Sequence, residues 1–136
     1  MITAVDTNIL LDVFGGDRTF GAISKESLQR GIADGQLIAC EVIWAELGAF
    51  FPSAVAVREA MDLLGVEFSP MTVDSALEAS RAWKDYRRRG GPRSRVAADF
   101  LIGAHALCQA DRLLTRDRGF YRVYFKSLSI LDPTAR

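Results

Sequence analysis

The chain has 136 residues, 49% of them hydrophobic and 25% charged, the balance of a soluble globular protein long enough to bury a core as one domain over 1–136. Seventeen basic and seventeen acidic residues cancel, so net charge alone gives no ground for binding nucleic acid. Only Ile2–Val5 precedes the first acid, Asp6, and no uncharged apolar run approaches the ~18 residues of a membrane span, which leaves neither a signal peptide nor a transmembrane segment to invoke. Cys40 and Cys108 lack metal-site spacing and read as small buried thiols, so the expected location is a reducing cytoplasm.

Ile2–Val5 reads as a strand, followed by a helix over Thr7–Phe14 begun by the Asp6-Thr7-Asn8 cap chemistry. Gly15-Gly16-Asp17 breaks that helix, and a second is expected over Thr19–Ala33, stopped near Asp34-Gly35. Leu37–Cys40 reads as a strand, Ile43–Phe50 as a helix ended with the help of Pro52, and Ser53 as the cap of a helix reaching Leu64. Val66–Phe68 is a third strand. Thr72 then opens the longest helix, with Val73, Ala76, Leu77 and Trp83 on one apolar face. Gly90-Gly91-Pro92 forces a loop, after which Arg95–Ala110 is apolar nearly all round and reads as a buried helix. Arg112–Thr115 is a fourth strand, a turn is expected near Gly119, and a last strand near Leu128–Leu131. Strands alternating with helices predict an α/β fold with a mostly parallel central sheet covered on both faces.

Four acids fall near the carboxyl edge of that sheet: Asp6 after the first strand, Glu46 and Asp99 in helices, and Asp117 after the fourth strand. Ligands of open α/β sheets gather at this edge. Two carboxylates ~4 Å apart repel by about 4 kcal/mol at an effective dielectric of ~20, so a cluster there calls for a proton or a divalent cation. Hard ions such as Mg²⁺ prefer oxygen ligands. Three of the four also have a plainer reading: Asp6 as a helix N-cap, Asp117 as a turn residue, Asp99 as the partner of Arg95 one helical turn earlier. Glu41 competes with Glu46 but falls in a first helical turn, where an acid is a common structural choice. Asp12, Asp17, Asp34, Asp62 and Asp74 lack the placement and are expected to face solvent or cap helices. His105, the only histidine, lies about 120° around its helix from Asp99 and reads as a hydrogen-bonded structural residue.

The segments Val5-Asp6-Thr7-Asn8-Ile9-Leu10, Ile43-Trp44-Ala45-Glu46-Leu47, Asp99-Phe100-Leu101-Ile102-Gly103-Ala104-His105-Ala106 and Leu113-Leu114-Thr115-Arg116-Asp117-Arg118-Gly119-Phe120-Tyr121 resemble the PIN-domain ribonucleases. The resemblance is nearest to the VapC-type toxins of type II toxin–antitoxin pairs. It implies a three-layer α/β/α fold, a catalytic and metal-binding quartet of Asp6, Glu46, Asp99 and Asp117, and supporting roles for Asn8 and Thr115. It further implies Mg²⁺- or Mn²⁺-dependent RNA hydrolysis leaving 5′-phosphate and 3′-hydroxyl ends, a cognate VapB-type antitoxin and a homodimer. Residues 81–95 carry seven basic side chains against the single acid Asp85, a local charge of +6 in a neutral chain. Arg87, Arg88, Arg89, Arg93 and Arg95, with Arg116, are therefore candidate RNA-phosphate contacts, the alternative being a solvated helix end favoured by the helix dipole. A rival phosphatase reading of the haloacid-dehalogenase kind needs an acid two residues after Asp6, where Asn8 stands. A non-catalytic PIN-like module that binds RNA or protein is the alternative of a different class.

Overall fold

The computed structural model describes residues 1–92 and 97–135. Its elements follow in the order β1 (Ile2–Val5), α1 (Thr7–Phe14), α2 (Gly21–Asp34), β2 (Gln36–Ala39), α3 (Glu41–Gly48), α4 (Ala54–Leu64), β3 (Val66–Phe68), α5 (Val73–Arg88), α6 (Ala97–Gln109), β4 (Arg112–Leu114), α7 (Arg118–Tyr124) and β5 (Ile130–Leu131). The five strands form one sheet in the order β3-β2-β1-β4-β5, and every pair in it is parallel. Ala4, Val5, Leu37, Ile38, Leu113 and Leu114 are all buried, as a parallel sheet with both faces covered requires. Helix α2 packs on β1 and β2, while α6 packs on β1 and β4 and carries α5 against itself. The result is a three-layer α/β/α arrangement.

Local signals account for most of the boundaries. Ser53 and Thr72 cap α4 and α5 by accepting from the amides of Ala56 and Ser75. Gly65 closes α4 at φ 72°, the left-handed conformation in which glycine meets no Cβ penalty. No helix among the described residues is long and apolar enough to cross a membrane.

Three expectations need correction. The face by which α5 packs is Ser75, Ala79, Ala82 and Tyr86, whereas Val73 and Leu77 stand 75% and 63% exposed and Trp83 is exposed as well. The buried side joins three small residues to Tyr86, which packs edge-on to Phe100 of α6 at 5.3 Å, while Trp83 stacks on the same ring at 5.9 Å from the margin of the contact. The turn expected near Gly119 is the helix α7. Its sequence is a modest helix former, but Phe120 and Tyr124 pack edge-on to Phe100 at 5.1 and 5.8 Å, and Tyr121 and Phe125 are buried, so tertiary packing overrides propensity. Cys108, expected to be buried, is exposed, while Cys40 is buried.

Gly103 of α6 lies where any Cβ would collide with the Phe125 ring, a side chain that is itself fully enclosed. Gly103→Ala should therefore lower stability by about 1–3 kcal/mol through overpacking. A urea titration would read this as a lower midpoint with an unchanged slope.

Candidate active site

From β1 the chain moves outward through β2 to β3, then crosses back to β4 and β5 on the other side of β1. The order reverses between β1 and β4, which makes the carboxyl ends of these two strands the topological switch point, where an open α/β sheet leaves a crevice. The register pairs Val5 with Leu114, and the Asp6 amide donates to the Leu114 carbonyl at 2.9 Å. Asp6 and Thr115 thus emerge side by side at the mouth of this crevice.

The Asp6 carboxylate is only 6% exposed and fully engaged. Its Oδ1 accepts from the Thr7 amide at 2.7 Å, so Asp6 also caps α1. Its Oδ2 accepts from the Thr115 hydroxyl at 2.8 Å, the Tyr121 hydroxyl at 3.1 Å and the Asn8 amide at 3.4 Å. All four donors are neutral. Burial, with a smaller contribution from the charge of Asp99, pushes the Asp6 carboxyl up to about 6 in spite of those hydrogen bonds. Burial likewise raises the Tyr121 hydroxyl well above its usual range, with Asp6, Asp99 and Asp117 all adding to the rise. Three of the four expected acids therefore act on one buried hydroxyl. Asp99 is half-buried in the first turn of α6, and Asp117 is exposed at the start of α7.

Glu46 joins by a different route. It lies exposed on α3, and its Oε1 accepts from the Thr7 hydroxyl at 2.9 Å, one residue from Asp6. Asn8 bridges inward as well, donating to Thr115 Oγ1 at 3.4 Å. His105 is buried and paired with the Ser69 hydroxyl at 3.0 Å, and burial lowers its pKa, the structural part expected of it. Among the described residues no group of three or more His, Cys, Asp or Glu is gathered closely enough to hold a metal ion. The donor set is nevertheless all oxygen, and Mg²⁺ is commonly held by one or two carboxylates with waters completing its octahedron. Asp6 with Asp99 suits that mode: two mutually repelling carboxylates, one of them deprived of water.

The basic candidates divide. Arg87 and Arg88 are exposed at the end of α5, and Arg89 pairs with Asp85 at 3.4 Å and lies 5.8 Å from the Tyr124 ring centre. Arg93 and Arg95 lie outside the described residues. Arg116 binds Asp12 with both arms, Nε to Oδ2 at 2.8 Å and Nη2 to Oδ1 at 2.9 Å. Asp12 is correspondingly 4% exposed, which corrects the expectation that it faces solvent or caps a helix. Sequence reasoning also passed over Thr7 and Tyr121. The signal for Tyr121 was present in its spacing four residues after Asp117, together with the need of a buried Tyr hydroxyl for a partner.

The PIN domain family model matches residues 3–126. The chain belongs to the PIN domain family. Among solved structures this PIN domain resembles a chain of VapBC2 from Rickettsia felis, determined with a promoter DNA fragment, at 16% identity and TM-score 0.75 over 97% of this chain and 98% of that one. It resembles VapBC-1 from nontypeable Haemophilus influenzae at 23% identity and TM-score 0.75 over 99% and 100% of the two chains. FitAcB from Neisseria gonorrhoeae follows at 19% identity and TM-score 0.69, with 98% of each chain covered. At these identities the likeness is one of fold. No curated protein sequence matches the chain.

The raised Asp6 pKa has a sign that stability can test. Between the unfolded value of 3.8 and about 6, the folded chain holds a proton that the unfolded chain has released. The corresponding stability is present below pH 3.8 and lost as pH rises through 6, at most about 3 kcal/mol for the metal-free protein. Asp6→Asn should remove that decline. Chemical denaturation in EDTA at pH 4, 5, 6 and 7 would measure it, and parallel profiles for the two proteins would contradict it.

Proposed function

We propose that this PIN domain is a Mg²⁺- or Mn²⁺-dependent endoribonuclease, the toxin of a VapBC-type toxin–antitoxin pair. The observation that carries the reading is Asp6, a buried carboxylate at the switch point whose neutral donors do not offset its charge and on which the charge of Asp99 acts. Family membership supports nuclease chemistry, and the fold likeness to VapBC chains supports the toxin assignment.

Asp6 and Asp99 would hold the ion, with Asp117 and Glu46 at the rim completing its surroundings. Bound there, the ion would polarise a phosphoryl oxygen and lower the pKa of the attacking water. Thr115, Asn8 and Tyr121 keep Asp6 in one orientation, as outer partners of metal-binding carboxylates do. The exposed carboxylates of Glu46 and Asp117 have the solvent access needed to take up and shed the water's proton. Arg87, Arg88 and Arg89, with Arg93 and Arg95 as further candidates, would provide phosphate contacts along the RNA, whereas the Arg116 fork is already engaged by Asp12. A VapB-type antitoxin and a second copy are the proposed protein partners, supported by apolar residues left outside the core such as Phe50, Phe68, Val73, Leu77 and Trp83. The proposed setting is the cytoplasm. A non-catalytic binding module is the second reading, favoured by the lack of a three-acid group among the described residues.

One experiment separates the two readings: cleavage of total RNA by the purified chain, freed of any partner, in Mg²⁺, Mn²⁺ or EDTA. Wild type should cleave only with metal, and Asp99→Asn, which keeps shape and loses charge, should be inactive while still folded. Metal-loaded, folded wild type that leaves all RNA intact would favour the binding module. RNA binding should weaken as salt rises, and Arg87→Ala and Arg88→Ala should each reduce the slope of log affinity against log salt by about 1. Salt-independent binding would remove the basic strip from the account.

A further inference from the structure

Thr115 donates to Asp6 in the crevice and the charge of Asp117 acts on the Tyr121 hydroxyl there, while the residue between them turns the other way. The Arg116 guanidinium reaches across to α1, where both arms engage the Asp12 carboxylate. Asp12 is held in turn by the Ser24 hydroxyl of α2 at 2.7 Å. The ring of Phe20, just before α2, lies under the guanidinium, 4.0 Å from its carbon to the ring centre. On the backbone side, the Arg116 amide donates to Asn8 Oδ1 at 3.3 Å, and the Asp117 amide donates to Thr115 Oγ1 at 2.9 Å. The turn is thereby fastened to the α1–α2 hairpin by side chain and backbone together.

We propose that Arg116 is a positioning residue, clamped by Asp12 and Phe20 so that the 115–117 turn presents Thr115 to Asp6 and Asp117 to the crevice. The inference rests on the nuclease reading for its effect on catalysis, and on geometry alone for the clamp. A planar guanidinium engaged on two arms fixes direction as well as distance, which an ammonium cannot reproduce. Removing such a pair need not cost much global stability, because the expense of desolvating both charges offsets their attraction. Its consequence belongs at the turn. This assignment also parts Arg116 from the RNA strip: its fork is occupied and one face of it is covered by a ring.

The test compares Arg116→Lys, which keeps the charge and loses the fork, with Asp12→Asn, which keeps the shape and loses the charge. Each should lower kcat by roughly 10- to 100-fold, the usual effect of removing an outer partner of a metal-binding residue. KM and the salt slope of RNA binding should stay at wild-type values. The double variant should be no worse than the worse single one, since both changes break one interaction. Independently of activity, amide hydrogen exchange at Arg116 and Asp117 should accelerate in both variants while exchange in β1, β4 and α6 stays slow. A raised KM with a salt slope reduced by about 1 and kcat unchanged would make Arg116 a phosphate contact instead. Unchanged exchange at the turn would overturn the clamp whatever the kinetics. If wild type cleaves no RNA, the nuclease reading fails, and the exchange experiment still decides the clamp. If Asp12→Asn does not fold, Arg116→Lys carries the same comparison, because Asp12 then keeps a cationic partner.

Discussion

Everything at the carboxyl edge of this sheet is organised around the side chain of Asp6, a carboxylate taken out of water at the junction of β1 and β4. Its two oxygens collect donors from α1, from the end of β4 and from α7. Two of those donors, Thr115 and Tyr121, are more than a hundred residues away in sequence. No donor carries a positive charge, so the hydrogen bonds orient the group without neutralising it. Burial outweighs those hydrogen bonds and pushes the carboxyl up to about 6. A buried charge left in this condition is unfavourable for folding alone, and perturbed carboxylates of this kind mark candidate functional sites.

The surrounding acids vary in their burial, and the difference suits a division of labour. Asp6 is enclosed, Asp99 is half-buried, and Glu46 and Asp117 are exposed. An enclosed carboxylate is slow to rehydrate and holds a fixed direction, which suits a ligand. An exposed one exchanges protons readily with water, which suits a proton carrier. The links from Thr7 to Glu46, and from Asn8 to both Thr115 and the Arg116 amide, join these carboxylates through the short segment that follows β1. Three consecutive residues, Asp6, Thr7 and Asn8, thereby reach most of the site.

Much of this was legible from the sequence because it is written in short-range terms. The bounds of β1, α1 and β3 follow from brief apolar runs cut by Asp, Gly and Pro, and those of α4 from the Ser53 cap. The edge at which Asp6 and Asp117 emerge follows from strand polarity alone. What was not legible depends on contacts between distant segments. Helix α7 contains a glycine, and only the aromatic cluster around Phe100 explains its conformation. On α5, periodicity pointed to the bulky apolar side, while the buried side carries the small residues Ser75, Ala79 and Ala82 together with Tyr86. Asp12 and Arg116, 104 residues apart, each look like ordinary surface charges until the fold brings them together. Tyr121 was visible as an aromatic but not as the hydroxyl on which three carboxylates act.

Under the proposed function Asp6, protonated or charged, is the pivot of a cation site. Calorimetric titration of the metal-free chain with Mn²⁺ tests it most directly, at pH 6 and pH 8 and in buffers of differing ionisation enthalpy. Wild type should bind with more protons released at pH 6 than at pH 8, because Asp6 must surrender its proton to receive the ion, and folded Asp6→Asn should show no measurable binding. Binding of equal strength by Asp6→Asn, or none by folded wild type at either pH, would contradict it.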